Sequence, residues 1–462
     1  MGPYGPPMHT ALSRLAAGTL TSVSLTVELI ARAERAGHLG AFVTLDADRA
    51  LAEAEAADHG PVRGPLHGLP IAVKDNIHVA GLPNTAGCEA LGGFVPDQDA
   101  RAITRLRAAG AIVLGKTTLH ELALGATGAG GPYGPARNPA DPTRFAGGSS
   151  GGTATAVAAG LAPAGLGTDT GGSVRVPAAL TGIAGLRPTT GRYPADGVTP
   201  LSWTRDTIGP MAPTVADLVL LDSVLAADRD PAEVPDPRHV VLAVPEHHFT
   251  EPLHPRTAEV WEHCLHVLGS AGIRLVPARL PEVETAEERA GFPITLYEAA
   301  RQLPGYLSAA TGGTDPAGLL ARITDPDVRT TMERTVFPQA ITESAYKAAL
   351  DIRDRVLVDG YRRIFRATGA HAVLFPTTPL PAGRIDTDTE RVRLDGVLRP
   401  AFPTYIRNTG PGSVAALPGL TVPVRSAGPG LPVGVALDAP WNTDRQLLGL
   451  GLLVEKLLEA GA

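Results

Sequence analysis

Helical segments alternate with short apolar runs along most of this chain, and this alternation constrains the fold more than any other feature. Residues 24–56 carry apolar side chains at helical spacing, and an apolar run at 71–73 ends at Lys74. Residues 99–109 predict an amphipathic helix. Further helices are predicted at 153–159, 218–226, 260–269 and 447–460, and further strands at 111–114, 184–186, 372–375, 420–424 and 433–436. This pattern predicts an α/β fold in which helices cover both faces of a mixed, mostly parallel central β-sheet.

The sequence contains no boundary between separable modules. Its 462 residues include no internal repeat, charge block or low-complexity linker, and a chain of this length can bury a large core. We therefore predict one domain over residues 1–462, with an N-terminal helical segment at 1–60. Residues 281–365 are mostly helical in pattern, with breaks at Gly312 and Pro316. We predict that they form a helical insertion that contributes to a ligand pocket.

The charge and cysteine content exclude several classes of function. The chain has 40 lysine and arginine residues, 47 aspartate and glutamate residues and a formal net charge of -7, so it lacks the basic surface of a nucleic-acid-binding protein. Its two cysteines, Cys88 and Cys264, exclude a disulfide framework and a four-cysteine zinc site. No uncharged apolar run reaches the roughly 18 residues of a membrane span, and residues 1–12 lack a secretory-signal pattern. We expect a cytoplasmic protein without nucleic-acid or membrane partners.

Three motif matches fail in their local context. Residues 110–117 fit the phosphate-binding pattern G-x4-G-K-[ST], but the four intervening residues predict a strand, so Lys116 is expected to be structural. Ser149 fits the nucleophile-elbow pattern G-x-S-x-G, yet the preceding residues 137–145 contain two prolines and predict a loop. His120 and Glu121 are not followed by a second histidine at zinc-site spacing.

Two glycine-rich segments are the remaining candidates for a catalytic site. Residues 146–152 read AGGSSGG and residues 167–175 read GTDTGGSVR. Glycines let the backbone approach a ligand closely and turn successive N–H groups towards one point. Such a nest can stabilise an oxyanion, and each well-placed donor contributes about 3 kcal/mol in the transition state.

A serine nucleophile also needs a base, and Lys74 is the candidate. A lysine can lose its proton inside a protein, whereas an arginine cannot, and this chain has only four lysines. Burial at the end of an apolar strand lowers the pKa of a lysine from about 10.4. A helix start just after Gly152 would add positive potential in the same direction. Ser149 would then lie between this base and the nucleophile.

Together these segments resemble the amidase signature family. The resemblance rests on residues 69–76 (LPIAVKDN), 147–152 and 167–189, and it extends over nearly the whole chain, including residues 375–381 and 419–423. It implies the amidase signature fold, with no metal or organic cofactor. The implied reaction is hydrolysis of the C–N bond of small arylalkyl or aryl amides through an acyl-enzyme, with a Ser–cisSer–Lys triad.

Carried over residue by residue, the resemblance implies Ser173 as the nucleophile, Ser149 as the bridging serine with a cis peptide, and Lys74 as the base. It implies an oxyanion hole formed by the backbone N–H groups of Thr170, Gly171, Gly172 and Ser173. Three residues are predicted to support the site. Ser150 is expected to hydrogen-bond Lys74 and orient it, and a structural ion pair is expected between Asp169 and Arg175.

Residues 407–413, 191–194 and 204–207 are similar to the branch of indoleacetamide and mandelamide hydrolases. Thr181 stands where that branch usually has cysteine, and Trp203 stands where a histidine or similar residue is common. The segment 125–134 is also unusually rich in glycine. Because such departures reshape a pocket, a broad aryl acylamidase, esterase or urethanase with the same triad stays open. An amidotransferase A-type subunit also stays open, although it usually has glutamine where this chain has Val176. The candidate pocket residues are Thr127, Gly128, Trp203 and Tyr297, with Leu296 and residues 305–340 as further candidates.

The expected partner is a small-molecule amide. The oligomeric state is left open, with a homodimer as one option. A non-enzymatic binding protein on the same scaffold is disfavoured, because the chain keeps both Ser173 and Lys74.

Overall fold

Eleven strands of the described chain form one large sheet. The computed structural model describes residues 7–385, 388–425, 428 and 430–460. Its strands are β1 (Phe42–Leu45), β2 (Pro70–Lys74), β3 (Ile112–Thr117), β4 (Arg137–Asn138), β5 (Asp141–Phe145), β6 (Gly165–Asp169), β7 (Ala184–Arg187), β8 (Thr207–Ala212), β9 (Val241–Pro245), β10 (Arg274–Ala278), β11 (Ala372–Pro376), β12 (Arg391–Leu394), β13 (Val397–Pro400), β14 (Gly419–Pro423) and β15 (Gly434–Asp438). The large sheet has the order β1-β3-β2-β6-β8-β7-β14-β15-β11-β9-β10, and β4–β5 and β12–β13 form two separate hairpins.

Helices connect and cover these strands. They are α1 (Met8–Ala16), α2 (Ser22–Arg35), α3 (Ala47–His59), α4 (Arg101–Ala108), α5 (Gly151–Ala158), α6 (Arg175–Thr181), α7 (Val215–Leu225), α8 (Pro255–Ser270), α9 (Phe292–Ala310), α10 (Pro316–Leu320), α11 (Pro326–Thr331), α12 (Glu343–Ile352), α13 (Asp359–Thr368), α14 (Ala401–Ile406), α15 (Gly410–Val414) and α16 (Asp444–Ala460). Several begin at a side-chain cap: the Thr214 hydroxyl, for example, accepts a hydrogen bond from the Asp217 N–H at the start of α7.

Both faces of the sheet are buried, as the alternation of helices and strands predicted. Along β11, Ala372 and Leu374 belong to one apolar cluster, which includes residues of α2, α3, α4, α7, α8 and α16. Val373 and Phe375 belong to a second cluster, with residues of α12 and α13. Since successive side chains of a strand point to opposite faces, these two clusters lie on opposite sides of the sheet. The predicted α/β class is confirmed.

Three details of the fold differ from the sequence-based expectation. Residues 137–145, predicted as a loop, form the hairpin of β4 and β5, because the two short strands pair with each other. Four strand pairings of the large sheet are parallel (β2–β3, β2–β6, β9–β10 and β9–β11), and the other six are antiparallel. Parallel pairs are therefore not the majority. The predicted helix at 24–56 is interrupted by β1, which pairs with β3 and forms one edge of the large sheet. That tertiary pairing outweighs the helical spacing of the apolar residues, so the segment 1–60 is not purely helical, and its residues 1–6 lie outside the described chain.

The segment 281–365 is mostly helical. It contains α9 to α13 and three π-helical stretches at Glu287–Gly291, Met332–Val336 and Arg353–Val358. Among the residues described, no helix combines the length and apolarity that a bilayer crossing requires.

Lys116 lies inside β3, where its ammonium is 2.9 Å from the Asp75 carboxylate and both side chains are buried. Its position in a hydrogen-bonded strand agrees with a structural role and leaves no phosphate cradle at residues 110–117.

Candidate active site

Three chain segments meet at one end of the neighbouring strands β2 and β6. Lys74 is the last residue of β2, which is paired on both sides, with β3 and with β6. Ser149 and Ser150 lie directly before α5, and Ser173 lies between β6 and α6. Because β2 and β6 run parallel, their carboxyl ends share one edge of the sheet, where ligands of α/β proteins commonly bind.

The Lys74 side chain is fully buried and has two hydroxyl neighbours. Its Nζ lies 2.8 Å from Ser149 Oγ and 2.7 Å from Thr168 Oγ1. Burial lowers the pKa of Lys74 to about 7, although the carboxylates of Asp169 and Asp206 act in the opposite direction. A substantial fraction of this amine is therefore uncharged near neutral pH, which is the form that can accept a proton.

The sequence-based expectation for Ser150 is wrong. Its hydroxyl donates to the Thr168 carbonyl at 3.2 Å and accepts from the Thr168 N–H at 3.3 Å. The residue that hydrogen-bonds Lys74 beside Ser149 is Thr168 itself, which also accepts from Asn76 at 3.1 Å. Ser150 therefore fixes the backbone of β6, and β6 in turn presents the Thr168 hydroxyl to the lysine. The peptide bond between Gly148 and Ser149 is cis.

Ser173 faces a cavity of about 340 Å³ and is 8 % exposed. Its hydroxyl makes no hydrogen bond within the described part of the chain, so it is free to contact a ligand. Thr170, Gly171 and Ser173 line the cavity, and their backbone N–H groups have no protein acceptor among the described residues. Gly172 differs from these three: its N–H donates to Asp169 Oδ1 at 2.8 Å. Of the four N–H groups predicted to form an oxyanion hole, that of Gly172 is therefore already hydrogen-bonded within the protein.

A buried ion network holds the turn that carries Ser173. Arg175 Nε lies 3.1 Å from Asp169 Oδ2, as the predicted ion pair requires, and Arg187 Nη1 lies 3.2 Å from Asp169 Oδ1. Burial alone would raise the pKa of Asp169, but the two arginines outweigh it and hold that pKa well below its usual range. Asp169 also accepts from the Val174 N–H at 3.2 Å. One carboxylate thereby fixes the backbone on both sides of Ser173.

Glycine is required at two positions of this site. Gly172 has a φ of +134°, and a Cβ at this residue would overlap Thr409 Oγ1. A Cβ at Gly167 would lie 2.6 Å from Ser150 Oγ. The absence of side chains there lets the serine segment before α5 pack directly against β6.

The structure places only part of the predicted pocket around the cavity. Thr127 and Leu296 line it, and the segment 305–340 contributes Asp327, Thr330 and Thr331. Three other candidates do not line it. Gly128 packs against the Gly147 carbonyl, Trp203 is 48 % exposed, and Tyr297 stacks on Tyr346 at 4.1 Å between ring centroids. The apolar part of the lining instead comes from Ala123, Leu124, Leu201, Phe292, Phe402 and Ile406.

His120 is a cavity residue that sequence reasoning missed. Its ring lines the cavity, Nε2 lies 3.3 Å from Asp325 Oδ2, and its backbone N–H donates to the Ser149 carbonyl at 3.1 Å. Cβ atoms at Gly125 and Gly130 would overlap the His120 ring and the Asp325 carboxylate, respectively. The glycine-rich segment 125–134 was the available signal, because its small residues make room for this pair.

The described residues contain no cluster of three or more His, Cys, Asp or Glu side chains suited to hold a metal ion.

Comparison with known proteins agrees with this architecture. A family model described as Amidase matches residues 24–448. The chain is 39 % identical over 461 residues to a mandelamide hydrolase from Pseudomonas putida, covering 96 % of this chain and 89 % of the relative. It is 36 % identical over 438 residues to an indoleacetamide hydrolase from Allorhizobium ampelinum, covering 95 % and 94 % of the two chains. A solved crystal structure of an amidase superposes with a TM-score of 0.86 at 35 % identity, covering 98 % and 99 % of the two chains. The chain therefore belongs to the amidase signature family of hydrolases.

Proposed function

We propose that this protein is a serine-dependent amidase in which Ser173 is the nucleophile, Ser149 relays a proton and Lys74 is the base. One observation carries the proposal: the Lys74 amine is buried, lies 2.8 Å from the Ser149 hydroxyl and has a pKa lowered to about 7. A neutral amine beside a hydroxyl is the arrangement that proton abstraction needs.

The proposed cycle begins when Ser173 attacks the amide carbonyl carbon. The Ser173 proton passes to Ser149 as the Ser149 proton passes to Lys74, so one positive charge develops on the amine and one negative charge on the carbonyl oxygen. The proton then returns through Ser149 to the leaving nitrogen, the C–N bond breaks, and an ester of Ser173 remains. Water hydrolyses this ester by the same proton route, which releases a carboxylic acid and regenerates the free serine.

The free N–H groups of Thr170, Gly171 and Ser173 support the role of this turn as an oxyanion hole. They belong to residues that line the Ser173 cavity, and a donor without a protein acceptor can meet a developing oxyanion. The base, the nucleophile and the donors are all protein groups, so the proposed reaction requires no metal or organic cofactor.

We propose small arylalkyl and aryl amides as substrates. Phe292, Phe402, Leu296 and Ile406 give the cavity aromatic and aliphatic walls beside Ser173, which suit an apolar ring. The relatives named for mandelamide and indoleacetamide are consistent with such substrates. We expect the protein to act on these molecules in the cytoplasm without a partner protein.

The test is hydrolysis by the isolated chain. Phenylacetamide, an anilide, an aryl ester and an aryl carbamate should be compared by kcat/KM, and the primary amide should rank first. Ser173→Ala and Lys74→Ala should each lower kcat by at least about a thousandfold. Ser223→Ala is the matched control, because this hydroxyl lies in α7 and donates to the Leu220 carbonyl, with no other partner among the described residues. Normal amide hydrolysis by either site variant contradicts the proposal.

A fluorophosphonate probe provides an independent measurement. It should add one covalent group to Ser173, detected by mass spectrometry of the peptide that contains residues 167–175. Labelling of the Ser173→Ala protein at the same rate would assign the nucleophile to another residue.

A further inference from the structure

A second cavity of about 700 Å³ adjoins the one that contains Ser173. Four residues line both cavities and so form the boundary between them: Glu287, Phe292, Pro400 and Pro403. The boundary is partly aromatic, since the rings of Phe292 and Phe402 lie 5.8 Å apart. A ligand that fills the first cavity could therefore extend past Phe292 into the second.

Two arginines give this second cavity its chemical character, and we call it the arginine chamber. Arg399 lies in β13 and Arg407 directly follows α14. Arg407 is held by its Nη1, which donates to the Pro252 carbonyl at 3.0 Å, and by its Nε, which donates to Asn408 Oδ1 at 3.0 Å. Its Nη2 is buried without a hydrogen-bond acceptor, and so is the Nε of Arg399. Buried guanidinium N–H groups of this kind are normally hydrogen-bonded.

The chamber also contains carboxylates, but they do not neutralise these arginines. Glu287 pairs with Arg205 at 3.2 Å, and Glu251 pairs with His247 at 3.8 Å. Two further glutamates on its rim, Glu284 and Glu288, are exposed to solvent. Among the described residues, neither Arg399 nor Arg407 forms an ion pair.

The positive charge of Arg399 acts on Arg407. Burial, and then the neighbouring Arg399, lower the pKa of Arg407 to about 10. Burial, and then Arg407, lower the pKa of His248 to about 4, so this imidazole is neutral. The His248 Nε2 donates to the Arg407 carbonyl at 3.1 Å. An anion between the two guanidiniums would relieve this repulsion and satisfy their free N–H groups.

We propose that the arginine chamber binds a carboxylate carried by the substrate at the end remote from the scissile amide. This inference rests on the proposed function and narrows its substrate class to amides whose other end is an acid. The aromatic part of such a molecule fills the Ser173 cavity, and its side arm passes Phe292. The guanidiniums of Arg399 and Arg407 then bind the carboxylate by charge-assisted hydrogen bonds.

The test compares two series of phenylacetamides with a para side arm of increasing length. One series ends in a carboxylate and the other in a neutral hydroxymethyl group. At the best arm length, wild-type kcat/KM should be at least about tenfold higher for the carboxylate probe. Arg399→Met should reduce this ratio to about one while leaving kcat/KM for the neutral probe within about twofold. Arg391→Met is the matched control, because this exposed arginine lies on the adjacent strand β12 and does not line the chamber.

Direct binding separates this proposal from the proposed function. The carboxylate probe should bind the Ser173→Ala protein more tightly than the neutral probe by calorimetry, and Arg399→Met should abolish the difference. Should neither probe be hydrolysed by the wild-type protein, the proposed function fails while this binding measurement still decides the role of the chamber. Equal binding of both probes overturns the inference. Inorganic phosphate binding as tightly as the carboxylate probe also overturns it, in favour of a free-anion site.

Discussion

At the scale of single residues, the surroundings of Lys74 decide what this lysine can do. Its position at the end of a strand paired on both sides removes it from water, and desolvation disfavours its charged form. The nearby carboxylates of Asp169 and Asp206 prevent a larger decrease of the pKa. The balance leaves the amine close to half-neutral at physiological pH, where a general base is most effective.

The pH dependence of kcat/KM should follow this balance. Since protonated Lys74 cannot accept a proton, activity should fall as pH decreases through about 7 and reach a plateau above it. The measurement is kcat/KM for phenylacetamide between about pH 5 and pH 9. Asp206→Asn removes one charge that raises the pKa of Lys74, so the acidic limb should move to lower pH. An unchanged limb in this variant would remove Lys74 as its source.

The Thr168 hydroxyl should position the lysine. Thr168→Val keeps the shape of the side chain but leaves Lys74 with one hydroxyl partner instead of two. We expect kcat to fall by about tenfold, the equivalent of one buried hydrogen bond, with little change in KM. Thr168→Ser should restore most of the activity because it returns the oxygen. Equal activity of the valine and wild-type proteins contradicts this role.

At the scale of elements, the turn between β6 and α6 fixes the backbone around Ser173 and also keeps some of its N–H groups available to a ligand. Asp169 accepts the N–H groups of Gly172 and Val174, which fixes the path of the backbone around Ser173. The N–H groups of Thr170, Gly171 and Ser173, three residues that line the cavity, have no acceptor among the described residues. The carboxylate thus shapes the turn, and the positive φ of Gly172 permits that shape.

Gly172→Ala should disrupt this turn. The new Cβ would overlap Thr409, and the alanine backbone would have to adopt a φ of +134°. We therefore expect a loss of about 1–3 kcal/mol in the free energy of unfolding and a large loss of kcat. Gly191→Ala is the control for the conformational part alone. Gly191 has a φ of +89° with no atom near its Cβ position, and only a loss of about 1 kcal/mol is expected there. Urea denaturation measures both, and equal losses would exclude the overlap as a cause.

At the scale of the whole molecule, Arg175 connects parts of the chain that are distant in sequence. It reaches Asp169 in β6, Asp438 in β15 at 3.4 Å and the Ser413 hydroxyl in α15 at 2.6 Å. All three contacts are fully buried. The turn that carries Ser173 is therefore attached directly to the C-terminal half of the sheet.

Arg175→Met should destabilise the protein by about 3–5 kcal/mol, because it leaves the buried Asp438 without its ion-pair partner and Asp169 with Arg187 alone. Arg362→Met, at a solvent-exposed position of α13, should change stability by less than about 1 kcal/mol, since both side chains of the Arg362–Asp359 pair are about half-exposed. Chemical denaturation followed by circular dichroism compares the two variants. Equal stabilities would show that the buried network does not hold the fold together.

The sequence alone determined the α/β class, the family resemblance and the identity of Lys74, Ser149 and Ser173 as candidate catalytic residues. Periodicity is a short-range property, so it can be read without a structure, and the catalytic candidates follow from motifs that resemble those of the family. The roles of the triad residues stay predictions, although Lys74 and Ser149 are found in contact.

Only the tertiary structure decided which neighbours these residues have. It replaced Ser150 by Thr168 as the second partner of Lys74, removed Gly172 from the free N–H donors and inserted β1 at the edge of the sheet. It also brought His120 to Asp325 across more than two hundred residues of sequence. Each of these contacts depends on strand pairing and side-chain direction between distant segments, and no local pattern of residues encodes those two properties.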